Sequence, residues 1–240
     1  MNINELFYLS ALLFPILADL QTPSVRITGG EDAKITDFPG MVEIGLYEQE
    51  KYVHRCGGSY VQTKIVLTAA HCLDMGLSKK PELILSLGIY AKNNKEASRK
   101  SKVLLPHPNY TSNPKYLHDI AIIKMDKPFE KEIEFVDIPF NFSYAEGINV
   151  WILGWGGTQL TDIQSNMTSA SVLQKLLTSI AFSGDENLFY VGKHLKNGCF
   201  GDSGGPVISN DSLIGILIES GSRTQLLVTP KLTPIDHCGF

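Results

Sequence analysis

The sequence lacks several patterns that other functional classes require. It has no internal repeat, heptad pattern or low-complexity tract, and no metal-ligand spacing or nucleotide-binding loop. Acids such as Glu43, Glu48 and Glu50 are scattered, so we expect their side chains to be solvated. We expect the protein to bind no metal and no cofactor. The formal net charge is −4, and this mild balance argues against nucleic-acid binding. The one basic cluster, 99–102, reads as a solvated loop or strand edge, with an anion-binding patch as the alternative.

Cysteine is scarce, since the chain has four in 240 residues, although cysteine usage points outside the cell. At 43% hydrophobic residues, the chain is able to bury a full core. Short β-rich runs alternate with Gly, Pro, Asn and Ser, which indicates an antiparallel barrel or sandwich. One helical turn is predicted at 70–75. The predicted strands are 41–47, 59–68, 83–90, 120–125, 150–154, 206–208 and 213–218.

The segment 198–206, Gly-Cys-Phe-Gly-Asp-Ser-Gly-Gly-Pro, surrounds Ser203 with glycines. Glycine lets a backbone approach a substrate closely and turn its amides toward it. If the N–H groups of Gly201 and Ser203 point at one position, they form an oxyanion hole. The alternative interpretation is a surface turn.

A nucleophilic serine requires a histidine as base and a carboxylate that orients the histidine. His71 ends the apolar run 66–72, beside a cysteine, and a structural role for this histidine is the alternative. Asp119 stands at the start of a hydrophobic strand, where an acid must be paired because burying an unpartnered charge is costly. We expect His71 to be that partner.

Three segments in this order resemble the signature blocks of the trypsin and chymotrypsin family of serine proteases: 69–72, 119–121 and 201–206. Further matches are 38–40, 56–59, 107–110 and 154–156, so the resemblance covers about residues 26–218. It implies an all-β fold of two antiparallel six-stranded β-barrels with the catalytic groups in the cleft between them. Because the chain stops soon after 231–236, we expect the family's C-terminal helix to be shortened or missing.

The resemblance implies a role for each residue of the triad. Ser203 would be the nucleophile, His71 the general base and then acid, and Asp119 the residue that orients His71. Cys56 and Cys72 match the pair that the family bridges behind the histidine, which would stabilise the fold by roughly 3 kcal/mol. Cys199 is either free or joined to Cys238.

The sequence predicts three segments: a signal peptide at 1–18, an activation propeptide at 19–26 and a peptidase domain at 27–240. The apolar run at 6–17 is short for a membrane span and is placed like a secretory signal, with a buried N-terminal helix as the alternative. Arg26 precedes a segment that looks like the family's activation junction. Cleavage there would free the α-amino group of Ile27, which the family pairs with Asp202.

Substrate preference depends in this family on the pocket behind the nucleophile. Asn197 falls where trypsin-like members carry an aspartate, so we expect a non-basic preference, toward aromatic or medium apolar residues, with small ones as the alternative. Asn197 as a plain turn residue also stays open. Ile218 stands where a serine usually hydrogen-bonds the catalytic aspartate, Glu219 replaces a groove tryptophan, and Ser220 follows in the pocket wall.

Four N-x-S/T sequons, at Asn109, Asn141, Asn166 and Asn210, lie in predicted loops and fit a secreted, extracellular glycoprotein. We expect a monomer that acts on protein or peptide substrates, is activated by a trypsin-like protease and meets protein inhibitors. The second hypothesis is a weakly active or inactive homologue that binds proteins as a decoy or regulator. The triad favours the first, whereas the altered pocket wall and short end favour the second.

Overall fold

The computed structural model describes residues 27, 29–73, 81–88, 98–111, 118–130, 133, 136–139, 141–157, 169–185, 188–192, 198, 201–220 and 226–229, with only the backbone at 182–185, 219–220 and 226–229. Their regular structure is β-strand apart from two short 3-10 helices, Ile35–Asp37 and Ala70–Cys72. Within these ranges no helix is long and apolar enough to cross a membrane. The all-β prediction is confirmed.

The first half of the chain forms a closed antiparallel barrel. Its strands are β2 (Met41–Glu48), β3 (Lys51–Gln62), β4 (Ile65–Thr68), β5 (Ile84–Leu87), β6 (Arg99–Pro106) and β7 (Ala121–Met125). They pair in the order β2-β3-β4-β7-β6-β5, and pairing of β5 with β2 closes the ring. The pairing of β4 with β7 places Thr68 opposite Ala121, so the residues that follow β4 and precede β7 meet at one end of the barrel.

The second half, together with the short strand β1 from near the start of the chain, forms a seven-stranded sheet. Its strands are β1 (Glu31–Asp32), β8 (Asn149–Gly154), β9 (Gln174–Asp185), β10 (Leu188–Val191), β11 (Pro206–Ser209), β12 (Ser212–Ser220) and β13 (Leu226–Thr229). The order is β1-β9-β10-β13-β12-β11-β8, and an additional pairing of β8 with β9 closes six of these strands into a ring. The short β1 adds to β9 from outside, as its partners Lys175 and Gln174 indicate.

Tight turns join neighbouring strands in both halves. Asn210 and Asp211 have φ of 48° and 60° between β11 and β12, which is the conformation that a two-residue hairpin requires and that Asn and Asp tolerate. A turn at 63–64, with φ of 68° at Lys64, separates β3 from β4. The prediction of a single strand at 59–68 is therefore wrong, because the chain reverses there and the two parts pair with each other.

The basic cluster at 99–102 lies in strand β6, and Arg99 is 2% exposed, so the prediction of a solvated segment is wrong for this residue. Its Nε donates to the carbonyl of Pro128 at 2.7 Å, and one terminal nitrogen donates to the carbonyl of Ser98 at 2.8 Å. The guanidinium also lies over the Phe129 ring, 5.6 Å from its centroid. The other terminal nitrogen lies 3.4 Å from a carboxylate oxygen of Glu130, so the buried cation has both hydrogen-bond acceptors and an opposite charge.

Two apolar clusters fill the halves. The first contains the inward side chains of the first barrel and continues into the second half through residues such as Leu153, Trp155 and Ile216. The second cluster, which includes Val150, Ile152 and Phe189, fills the second ring. Ile27 is 1% exposed and belongs to this second cluster, so the start of the described chain is anchored inside the second half.

Candidate active site

His71 and Asp119 are in direct contact. His71 lies in the 3-10 turn after β4, and Asp119 lies two residues before β7, so the β4–β7 pairing brings them together. One carboxylate oxygen of Asp119 accepts the backbone N–H of His71 at 2.8 Å, and the other lies 2.6 Å from Nδ1. The expectation that the buried acid is partnered by His71 therefore agrees with the geometry.

The two side chains of this pair differ in their exposure to solvent. The Asp119 side chain is 0% exposed and that of His71 is 23% exposed. Because the carboxylate accepts a hydrogen bond from Nδ1–H, the neutral imidazole carries its lone pair on Nε2. Nε2 itself lies 3.8 Å from Sγ of the disulfide-bonded Cys72.

A disulfide fixes the turn that carries His71. Cys56 in β3 is bonded to Cys72, with Cα atoms 6.2 Å apart and a sequence separation of 16. The expected pairing of these two cysteines is confirmed. Since Cys72 follows His71 directly, the bond holds the histidine against the middle of β3.

The backbone of Ser203 is attached to the same region of β3. Gly57, the neighbour of Cys56, donates its N–H to the carbonyl of Ser203 at 2.8 Å. The next residue, Gly204, has φ of +78°, and a Cβ there would collide with Thr68 Oγ1 and with the carbonyl of Gly57. The serine segment therefore packs against β3 and against Thr68 at the end of β4. Thr68 lies three residues before His71 in the chain.

Asp202, next to Ser203, is a buried carboxylate with 1% exposure. Its Oδ1 accepts the backbone N–H of Gly156 at 2.7 Å. A Cβ on Gly154 or Gly156 would overlap the Asp202 carboxylate. The structure thus gives a physical reason for both glycines of the 154–156 block.

A second histidine–carboxylate pair contacts the loop that carries Ser203, and the sequence interpretation missed it. Glu43 in β2 is 3% exposed, so the expectation that Glu43 is solvated is wrong, whereas Glu48 and Glu50 are exposed as expected. Its Oε1 lies 3.1 Å from Nδ1 of His54, and Nε2 of His54 lies 2.9 Å from the carbonyl oxygen of Gly201. The signal available in the sequence was an acid inside the apolar run 41–46, which requires a partner.

The remaining predicted site residues are only partly described. Ile218 is 2% exposed and packs in the first apolar cluster. Outside the described residues lie Arg26, Asn197, Cys199, Cys238 and Asn166, the side chains of Glu219 and Ser220, the predicted segments 1–18 and 19–26, and the chain after 229. The sequons at Asn109, Asn141 and Asn210 lie in exposed turns, as expected.

Metal-ligand geometry occurs at one place in the described part of the chain, where Cys56, His71 and Cys72 offer ligand atoms within 4.8 Å of one another. The two sulfurs are joined in the disulfide, so they are not the thiolates that bind metal. These three residues are therefore better explained as an imidazole beside a disulfide than as a metal centre.

Two groups near the site have shifted pKa values. Burial raises the pKa of the Tyr52 hydroxyl strongly, and the charge of Glu43 and then the neighbouring Tyr47 add to this shift. Burial lowers the pKa of His107, and the adjacent His118 lowers it further. The two imidazoles are stacked with centroids 4.8 Å apart and planes 14° apart.

Comparison with known proteins bears on this geometry. Residues 27–230 match the family described as Trypsin. The chain belongs to the trypsin family. The matched range covers both rings, the His71–Asp119 pair and the Ser203 segment.

Individual trypsin-family relatives agree with this assignment. The chain is 33% identical to coagulation factor IX of Cavia porcellus over 205 residues, which cover 77% of this chain and 67% of the relative. It is 31% identical to coagulation factor IX of Oryctolagus cuniculus, covering 77% and 70% of the two chains. It is 27% identical to a trypsin of Phaedon cochleariae, covering 81% and 78%.

Proposed function

We propose that this trypsin-family protein is a secreted serine endopeptidase that hydrolyses peptide bonds through an acyl-enzyme. The observation that carries the proposal is the 2.6 Å contact between His71 and Asp119. Ser203 is attached through Gly57 to β3, the strand that the disulfide joins to Cys72, the residue after His71. Membership of the trypsin family supports the same reaction class.

We assign a residue to each step of the reaction. Ser203 Oγ attacks the substrate carbonyl carbon as its proton passes to Nε2 of His71, and Asp119 stabilises the resulting imidazolium. The N–H groups of Gly201 and Ser203 donate to the oxyanion. The C–N bond then breaks as His71 gives the proton to the leaving amine. Water repeats the sequence on the acyl-enzyme, which releases the acid and restores the Ser203 hydroxyl.

The proposal includes synthesis as a zymogen that is cut after Arg26 by a trypsin-like enzyme. The new ammonium of Ile27 would pair with Asp202 and hold the Gly201 amide in position. The burial of Ile27 in the second half and of Asp202 beside Gly156 supports this step. Arg26→Gln should block processing and activity together. Full activity of the unprocessed variant would contradict the zymogen step.

The proposed substrate preference is for aromatic or medium-sized apolar residues, because the neutral amide of Asn197 would not pair with Lys or Arg. A matched set of peptide substrates that differ only in the residue before the scissile bond measures this directly. We expect kcat/KM for Phe or Leu to exceed that for Arg. Faster cleavage of the Arg substrate would reject the assignment of Asn197.

Secretion is proposed together with N-glycosylation. The exposed turns at Asn109, Asn141 and Asn210 support it, since a glycan is accommodated there without disturbing the core. Secreted protein should lose mass on treatment with peptide N-glycosidase, and each Asn→Gln variant should lose one increment. An intracellular, unmodified chain would contradict this part of the proposal.

Labelling with a fluorophosphonate probe tests the central claim. The reagent forms a bond to a serine whose proton is removed by a base and whose developing charge is stabilised by an oxyanion hole. Wild-type protein cut after Arg26 should label at Ser203, and Ser203→Ala should not. His71→Ala, which keeps the serine, separates an assembled triad from a merely exposed hydroxyl. No labelling of folded, processed wild type would favour the protein-binding alternative.

A further inference from the structure

A cavity of about 610 Å³ lies where the first barrel meets the second sheet. Its walls come from the segment before β2, from the crossover at 136–137, from β8 and from the hairpin between β11 and β12. None of the three triad residues lines it. The volume falls within the range of about 300–1,000 Å³ that is usual for binding sites, so several side chains of an occupant fit.

Part of the lining is apolar. It includes Phe38 and Val136, which are partly buried and pack against the first apolar cluster, and Ile208, which is 6% exposed. An occupant that covers these side chains removes apolar surface from water, which is favourable. The lining therefore suits aliphatic or aromatic side chains better than a hydrated ion.

Three carboxylates also line the cavity, from Asp37, Asp137 and Asp211, and all three residues are exposed. The described residues of the lining include no Lys, Arg or His. In the part of the chain that the structure describes, none of these carboxylates forms an ion pair. A cleft lined by charges of one sign concentrates their field and attracts the opposite charge. The cavity therefore selects for cations.

Backbone hydrogen bonds fix the walls of the cavity. Leu213 donates its N–H to the carbonyl of Asp137 at 2.7 Å, which ties the crossover to β12. Met41 donates its N–H to the carbonyl of Phe38 at 3.0 Å, which closes the turn before β2. A preformed site loses little conformational freedom when it is occupied. The acids and the apolar side chains are thus held on one surface before an occupant arrives.

We propose that this cavity is a docking site for a basic segment of a partner protein. Lys or Arg side chains of the segment pair with Asp37, Asp137 and Asp211, and its apolar side chains cover the apolar part of the lining. Docking goes beyond the proposed peptide hydrolysis and needs no active serine. A failure of the peptidase proposal therefore leaves it standing, and the reverse is also true.

The first arm of the test measures binding of a fluorescent Arg-Leu-Arg-Leu-Arg peptide by fluorescence anisotropy. The protein is the Ser203→Ala variant, which does not consume the peptide, and it is produced in bacteria, which attach no N-glycan to Asn210 beside the cavity. Binding should be saturable and should weaken at least about tenfold between about 0.05 and 0.5 M sodium chloride, because salt screens exposed charge pairs. Absence of saturable binding would overturn the proposal.

Neutralising the acids tests whether the peptide occupies this cavity. The triple variant Asp37→Asn, Asp137→Asn, Asp211→Asn should bind the peptide at least about tenfold more weakly, as expected for the loss of three exposed ion pairs. If this variant does not fold, Asp137→Lys takes its place, because it puts a cation into the cavity. Wild-type affinity in the folded variant would refute the assignment.

A matched control removes the same number of charges elsewhere. Three exposed acids that do not line the cavity are changed together, as Glu50→Gln, Glu82→Gln and Glu146→Gln. This variant should bind the peptide within about twofold of wild type, since charges beyond a Debye length of roughly 10 Å are largely screened. An equal loss of affinity in both triple variants would show a general charge effect and would reject the site.

The second arm locates the peptide by NMR of ¹³C-methyl methionine. Met41 lines the cavity, whereas Met125 is fully buried in the first barrel and does not. The Met41 methyl signal, identified by its loss in Met41→Leu, should shift on addition of the peptide, and the Met125 signal should stay in place. An unmoved Met41 signal at saturation would place the peptide elsewhere and contradict the proposal.

Two further probes define the class of occupant. A Glu-Leu-Glu-Leu-Glu peptide should not bind, because its charges repel the three carboxylates. Free argininamide should bind at least about tenfold more weakly than the Arg-Leu peptide, because it covers less of the apolar lining. Equal affinity of argininamide would assign the cavity to a small organic cation and would reject a protein segment as its occupant.

Discussion

Gly57 donates its backbone N–H to the carbonyl oxygen of Ser203 at 2.8 Å, and this contact joins the two halves of the molecule at the candidate site. Gly57 follows Cys56, whose disulfide partner Cys72 follows His71. A strand of the first barrel thus places the serine loop and the histidine relative to each other. The relationship explains why small residues occur on both sides of the contact.

Gly57→Ala should separate the two halves at this point. A Cβ there would lie 2.9 Å from Gly205 Cα and 3.1 Å from Gly205 N, which are backbone atoms that have no freedom to rotate away. We expect a loss of about 1–3 kcal/mol of stability, as for other overpacked sites, and at least a tenfold slower fluorophosphonate reaction at Ser203. Urea unfolding and labelling kinetics measure the two effects.

Gly147→Ala is the control for Gly57→Ala. It has open space around the new methyl group and a φ of +84°, so it carries only backbone strain. This variant should lose some stability but keep the wild-type labelling rate. Unchanged labelling in Gly57→Ala would show that the contact does not position the serine.

Removing the Cys56–Cys72 bond should cost about 3 kcal/mol of unfolding free energy, because a closed loop of this size restrains the unfolded chain. The double variant Cys56→Ala, Cys72→Ala tests this by urea unfolding. Its labelling rate should also fall, since the turn that carries His71 loses its covalent support. The variant Cys199→Ser, Cys238→Ser serves as the control for effects of the other two cysteines. A double alanine variant as stable as wild type would contradict the expectation.

Asp119→Asn should keep the fold but lower kcat by about ten-thousand-fold, the magnitude found when this carboxylate is neutralised in a triad. The amide would hydrogen-bond the imidazole in the wrong tautomer and would not stabilise the imidazolium. Steady-state kinetics measure the loss, and a far-ultraviolet circular dichroism spectrum checks the fold. A decrease below about tenfold would remove Asp119 from the proposed mechanism.

The sequence predicts the local chemistry of the site better than its long-range contacts. The blocks around His71, Asp119 and Ser203 are short, and their resemblance to the signature blocks of the trypsin family implies both the fold and the Cys56–Cys72 pair. The contact between Glu43 and His54 depends on the register of β2 against β3, with a shift between Ile44 and Gly45. No local pattern in either strand specifies that register.

Strand β9 was missed for a different reason. Along 174–180 the buried residues alternate regularly, but two of them are Gln174 and Thr178, whereas Leu177 is 47% exposed. Gln174 is buried because its Nε2 donates to Asp32 Oδ1 at 2.7 Å and to the carbonyl of Val172 at 2.9 Å. Tertiary partners thus override the apolar and polar alternation on which a sequence prediction depends.

The stacked pair His107 and His118 should make stability depend on pH. The Nδ1 of His107 accepts the backbone N–H of Asn109 at 3.1 Å, which requires this nitrogen to be unprotonated. Burial and then the charge of His118 lower the pKa of His107 in the folded protein from the ordinary value of 6.5. The unfolded chain therefore binds a proton at His107 more readily than the folded protein does. The contribution of His107 to the free energy of unfolding is fully present above pH 6.5 and is lost as the pH falls through the pKa of the folded protein.

His107→Phe should keep the ring contact with His118 but remove this titration. The decrease in unfolding free energy between pH 7.5 and pH 5, measured by urea unfolding at both values, should be smaller in this variant than in wild type. The exposed Lys102→Gln variant should keep the wild-type difference, because that residue lies away from the stack. If the unfolding free energies of wild type and His107→Phe change equally with pH, the lowered pKa of His107 does not contribute to the pH dependence of stability. Unfolding would then take up the same number of protons in both proteins.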